Sequence, residues 1–189
     1  MYTYMHVSRR TIYNNGYILE YQKGLELRRQ STVSAIENFT SAIFFEHLTK
    51  MAGEGLSCHG TSFLLNHPNA ESINFSSWAL EMSFEYERVS SFKNMPSRFQ
   101  SAFAWRDLEA AQQFSRRYGD GTIYVVEPLS DVAILDMNLL SCHKYFGSAA
   151  LNANAYWSGK QPLDEEYKPI YEVLMKLPVK VIDKVEVLP

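Results

Sequence analysis

The stretch Asn94 to Tyr118, NMPSRFQSAFAWRDLEAAQQFSRRY, constrains the fold more than any other part of the chain. Met95 and Pro96 mark a turn, because a residue that precedes proline is held out of the helical region. The aromatic run Phe99 to Trp105 is short enough to be a buried strand. Asp107 can then cap a helix in which Leu108, Ala111, Phe114 and Tyr118 line one face, while Glu109, Gln113, Arg116 and Arg117 lie off it. Gly119-Asp120-Gly121 ends that helix, and the β-branched run Thr122 to Glu127 returns as a strand. Strand, tight turn, helix and strand make one compact unit. The first N–H groups of its helix lack internal partners and so offer a place for a ligand.

Around this unit the chain alternates between β and α patterns. Met1 to Val7 places Tyr2, Tyr4 and His6 on one face and Thr3, Met5 and Val7 on the other, which predicts a strand with one functional and one packed side. Asn14-Asn15-Gly16 is a turn signal, and Tyr17 to Tyr21 follows as a second short strand. Ser34 and Glu37 have capping-box spacing, and Ile36, Phe39, Ile43, His47 and Met51 mark a helical face to about residue 52. Gly53 to Asn69 has no sustained period and reads as a long ordered loop. A further helix is predicted from near Ser76 to near Val89, with Trp78, Met82 and Glu85 on one side and Leu80 and Phe84 on another. Val132 to Met137 reads as a strand, Ser148 to Trp157 as a helix, and Ile170 to Met175 and Val179 to Val187 as strands. Strands at both ends with helices between them predict an α+β fold with a mostly antiparallel or mixed sheet. It forms a single domain over residues 1–189, with a helical insert at about residues 31–90.

A hydrophobic share of 46% can fill a sizeable core. The formal net charge of −3 excludes a global field that attracts nucleic acid. The first thirty residues differ, because Arg9, Arg10, Lys23, Arg28 and Arg29 outnumber Glu20 and Glu26 and predict a local basic face. Cys58 and Cys142 are too few for a disulfide framework, and the apolar runs are too short to span a bilayer, so a cytoplasmic chain without membrane contact is expected. Cys58-His59, Cys142-His143 and His67 lack the two-residue gaps of structural zinc sites, and no metal is expected.

His6-Val7-Ser8 in the first strand, the segment Phe103 to Phe114, and Tyr171-Glu172-Val173-Leu174 in a late strand occur in the order found in NAD-dependent ADP-ribosyltransferases. The segments PSRF, FAWRDLEAAQQF, LNANAYW and PIYEVL resemble an uncharacterised bacterial and phage family placed in that superfamily. The resemblance covers about the first twenty residues and the region from about Arg88 onward. It implies a split β-sandwich with NAD as substrate in the cleft between its sheets. Carried onto this sequence, it assigns His6 to the adenosine ribose, Val7 and Ser8 to the nicotinamide side, Phe103 to the ring against nicotinamide, and Glu172 to the nicotinamide ribose. Phe103 stands where the histidine-tyrosine-glutamate branch commonly has Tyr, so the hydroxyl is missing. Arg98, which opens the strand leading to Phe103, is expected at the pyrophosphate, since guanidinium pairs well with phosphate oxygens.

Glu172 suits the chemistry because cleavage of the nicotinamide bond passes through an oxocarbenium-like state that a carboxylate stabilises. The resemblance implies transfer of ADP-ribose to RNA or protein, as in toxins and phage-defence effectors, with an antitoxin as a possible partner. Two rival expectations stand beside it: a catalytically silent binding module of the same fold, and a hydrolase that gives water the acceptor's place.

Overall fold

The structure, a computed structural model, describes residues 2–9, 11–25, 42–64, 75–119, 121–141, 147–160 and 166–185. The strands are β1 (Tyr4–Ser8), β2 (Ile18–Leu19), β3 (Ser101–Ala104), β4 (Thr122–Pro128), β5 (Val132–Asp136), β6 (Tyr171–Lys176) and β7 (Val179–Lys184). The helices are α1 (Ala42–Glu54), α2 (Cys58–Leu64), α3 (Phe75–Ser91), α4 (Leu108–Tyr118) and α5 (Gly147–Ser158). Among the described residues the fold is α+β, with two antiparallel sheets and five helices. One sheet has the order β1-β4-β7-β2 and the other β3-β6-β5. No helix among the described residues is long and apolar enough to cross a membrane.

Alternation along each strand sorts the cores. Tyr4, Val126, Val179 and Val181 of the first sheet pack with Ala102, Ala104, Val173 and Met175 of the second. The opposite face of the second sheet carries Phe103, Ala133, Leu135 and Leu174, which pack with Phe84 of α3 and with Ala153, Tyr156 and Trp157 of α5. Glu172 shares that face by its period of two with Leu174. α4 covers the far side of β1, where Val7, Trp105, Ala111 and Ile123 meet. α1, α2 and α3 close around Phe99 in a separate cluster.

Several sequence expectations need correction. The strand expected at Phe99 to Trp105 starts later, because Arg98–Gln100 is a 3-10 turn capped by Ser97, whose hydroxyl accepts the Phe99 N–H. β3 and β4 belong to different sheets, so α4 crosses between sheets and does not bridge two strands of one. Its first turn is closed by its own cap, since Asp107 Oδ1 accepts the Ala110 N–H at 2.8 Å. Tyr118, expected on the apolar face, is 44% exposed, and Ser115 is buried on α4 in its place. The loop expected at Gly53 to Asn69 contains α2. Ile43 is 79% exposed, while Phe44, Leu48 and Met51 form the buried stripe of α1. β1 is packed on both faces, through Tyr4 and through Val7. The second strand is only two residues long. The capping box at Ser34 and Glu37 lies outside the described residues.

Candidate functional site

The two sheets meet at β1 and β3. The Met5 N–H donates to the Trp105 carbonyl at 2.8 Å, and the Trp105 N–H returns the bond at 2.9 Å. The next contact is made by a side chain: His6 Nδ1 lies 2.7 Å from the Phe103 carbonyl oxygen. A carbonyl only accepts, so Nδ1 carries the proton and Nε2 is the acceptor. Nε2 has no hydrogen bond among the described residues. Burial lowers the His6 pKa and outweighs the opposing pull of the Phe103 carbonyl, which keeps the ring neutral at neutral pH.

Backbone groups of β1 also lie where the sheets meet. Ile123 uses its carbonyl toward Val185, so its backbone is turned to β7. Val7, paired with Ile123, therefore turns its N–H and C=O away from β4, toward the side on which Met5 meets Trp105. The Val7 side chain is buried under α4. Ser8 is different, because its hydroxyl donates to the Thr11 carbonyl at 2.7 Å and accepts the Thr11 N–H at 3.3 Å. That hydroxyl closes a local turn.

Glu172, near the start of β6, is 4% exposed and faces the helices. Its Oε1 accepts from Arg98 Nη1 at 2.5 Å and from the Tyr156 hydroxyl at 2.7 Å. Its Oε2 takes no hydrogen bond among the described residues. Arg98, 5% exposed, donates through Nε and Nη2 to the two oxygens of Glu81, at 2.9 and 3.1 Å. It also donates through Nη1 to the Tyr156 oxygen at 2.7 Å. Four donor contacts go to these groups, which leaves no free fork for the pyrophosphate expected there. The guanidinium lies 4.8 Å from the centroid of the Phe103 ring, and the His59 ring meets that ring edge-on at 4.9 Å. His59 Nε2 is 3.3 Å from Glu81 Oε1, an ion-pair distance without hydrogen-bond geometry.

The electrostatics follow from burial and sharing. Burial works to raise the Glu81 pKa, but the charge of Arg98, helped by His59, holds it well below the usual carboxylate range. Burial disfavours the Arg98 charge, and Glu172 and Glu81 together reverse that and hold it firmly protonated. Tyr156 is pushed well up, first by burial, with Arg98 opposing and Glu172 adding to the rise. Two carboxylates thus share one guanidinium. One turn along α3, Glu85 is satisfied by Arg88, His47 and Ser97.

The structure brings His6, the Val7 backbone, Phe103, Arg98 and Glu172 into one connected region. Tyr156 and Glu81 belong to it and escaped the sequence reading, and His59 belongs to it too, which enters that reading only as a metal ligand. Glu81 had a signal, since it follows Trp78 by three positions and precedes Glu85 by four on the buried face of α3. Tyr156 lies inside the segment LNANAYW. Among the described residues no three His, Cys, Asp or Glu side chains gather to hold a metal. The predicted basic face is only partly placed: Arg9 donates to the Tyr118 carbonyl at 2.9 Å and Lys23 is exposed, whereas Arg10, Arg28 and Arg29 lie outside the described residues.

The chain is therefore an α+β protein in which two antiparallel sheets meet at β1 and β3, with a buried Glu-Arg-Glu-Tyr cluster between the second sheet and the helices. It belongs to the family described as Protein of unknown function (DUF2441), whose model matches residues 4–187. No curated protein matches it.

Proposed function

We propose that this chain is an NAD-dependent ADP-ribosyltransferase whose two sheets form the split β-sandwich of that superfamily. The observation that carries the reading is the state of Glu172, with Oε1 held by Arg98 and Tyr156 and Oε2 without a partner. That oxygen is free to accept a hydrogen bond, and a ribose hydroxyl is a donor that would supply one. His6 Nε2 supplies an acceptor for a second ribose, and the Val7 N–H and C=O match the carboxamide of nicotinamide, which both donates and accepts. In the reaction, the bond between the ribose anomeric carbon and the nicotinamide nitrogen breaks. Its electron pair leaves with nicotinamide and neutralises the ring's positive charge. The acceptor atom bonds to the same carbon and gives up its proton to solvent. Glu172 favours the positive charge that develops on the ribose. Arg98 acts behind Glu172, and Phe103 offers an apolar ring without a hydroxyl. RNA and protein are the acceptors proposed, in the setting of a toxin or phage-defence effector.

A silent binding module is the second reading, favoured by the 4% exposure of Glu172 and by the Phe at position 103. Hydrolysis of NAD differs from transfer only in taking water as acceptor. Glu172→Gln keeps the shape and removes the charge, so nicotinamide release falls by about 10²-fold or more while circular dichroism stays native. Undiminished release from a folded Glu172→Gln protein sinks the mechanism.

A further inference from the structure

Glu172 is gripped from several elements that lie far apart in sequence. The hydrogen bonds form a closed ring: Arg98 Nη1 reaches both Glu172 Oε1 and the Tyr156 oxygen, and the Tyr156 hydroxyl donates back to Glu172 Oε1. Arg98 supplies only donors, so the single phenolic proton of Tyr156 is directed at the carboxylate. The Arg98 plane is fixed in turn by its two bonds to Glu81 on α3 and by the Phe103 ring beneath it. The Tyr156 ring is wedged edge-on between Phe84 at 5.2 Å and Trp157 at 4.7 Å, and Trp157 Nε1 ties α5 to the Phe84 carbonyl.

We propose that Glu81, Arg98 and Tyr156 form a positioning clamp for Glu172, in which Tyr156 and Arg98 hold Oε1, Glu81 holds Arg98, and Oε2 alone is presented to the substrate. The clamp deepens the transferase reading and rests on it, but its test does not depend on turnover. The two outer members act on Glu172 with opposite signs. Tyr156 donates a hydrogen bond to the charged carboxylate and favours it, whereas Glu81 is an anion that draws on the same guanidinium and disfavours it. The titratable and charged groups around Glu172 are Arg98 from the turn before β3, Tyr156 from α5, and Glu81 from α3 with His59 of α2 beside it. Glu85, one turn further along α3, is paired with Arg88 and His47.

The experiment follows the Glu172 carboxyl carbon by NMR in protein labelled with carbon-13 glutamate, assigned by its loss in Glu172→Gln. In Tyr156→Phe the midpoint of the Glu172 titration moves up by about one pH unit, and in Glu81→Gln it moves down. A merely structural role loosens both variants and gives no opposite signs. Where NAD is cleaved, Tyr156→Phe lowers kcat about tenfold and leaves KM within about twofold. If Tyr156→Phe does not fold, fluorotyrosine in place of tyrosine strengthens the phenol as a donor and moves the midpoint down. Midpoints that stay put, or that move the same way in both folded variants, overturn the clamp whatever the activity. Opposite shifts in a protein that never cleaves NAD keep the clamp and remove the transferase reading.

Discussion

Gly60→Ala is expected to destabilise the protein and to disturb the site, although the change is usually favourable within a helix. Gly60 lies in α2, against the 3-10 turn that carries Arg98 and Phe99. The Phe99 carbonyl there already accepts the Ser57 N–H at 2.8 Å and the Ser57 hydroxyl at 3.0 Å. A Cβ at position 60 would lie 2.1 Å from that carbonyl oxygen and 2.9 Å from the Phe99 C and Cα atoms. These are backbone atoms and cannot rotate away, so helix and turn must separate by about 1 Å. Replacing a helical glycine with alanine gains about 1 kcal/mol. Overpacking costs about 1–3 kcal/mol, and each strained hydrogen bond at Phe99 loses about 1 kcal/mol more. The clash wins by about 2–4 kcal/mol, which for a chain of this size lowers Tm by about 4–16 °C. Thermal melts by far-ultraviolet circular dichroism measure this directly. A Tm equal to or above that of the unaltered protein refutes the reasoning, because helix propensity would then outweigh a contact that must be absent.

Two further expectations follow from the same geometry. His6→Ala raises KM for NAD more than it lowers kcat, since a ribose contact made equally in ground and transition states acts on binding; unchanged NAD affinity by calorimetry returns His6 to bridging the sheets alone. Acid stability is set by α3. Burial alone would raise the Glu85 pKa, but hydrogen bonds from His47 and Arg88 with the Arg88 charge lower it, as Arg98 and His59 do for Glu81. Both carboxyls therefore bind protons more tightly unfolded than folded, so their contribution is complete above about pH 4.5 and is lost as pH falls below it toward their folded values. Urea midpoints that fall from pH 5 to pH 3, with a shallower fall in Glu85→Gln, are the expected result; equal slopes refute it.

What the sequence disclosed depended on how local the cause was. The α4 boundaries were legible because Asp107 is a local cap and Gly119, at φ +104°, is a local stop. On α1 the phase was not legible, since Ile43 and Phe44 are both apolar and only packing in the cluster with α3 residues Trp78 and Met82 buries Phe44. α2 has only seven residues, too few to show a period, and its glycine is there because the Phe99 carbonyl comes so close. The sheet assignment of β3 and β4 was hidden as well, because two short apolar runs flanking a helix look alike whether or not they pair. At the site, an acid within the apolar strand β6 was conspicuous. Its partners were not: Arg98 lies 74 residues before Glu172 and Tyr156 sits 16 before it. No spacing rule joins groups that only the packed core brings together.

The most direct measurement is release of nicotinamide from NAD by the purified chain, alone and with cell extract, with labelled ADP-ribose followed into protein and into nuclease-sensitive material. The account predicts nicotinamide release that depends on Glu172, together with label on a macromolecule when extract is present. No release in any mixture, from protein whose folded state is verified, contradicts it and leaves the chain a binding module built on the same two sheets.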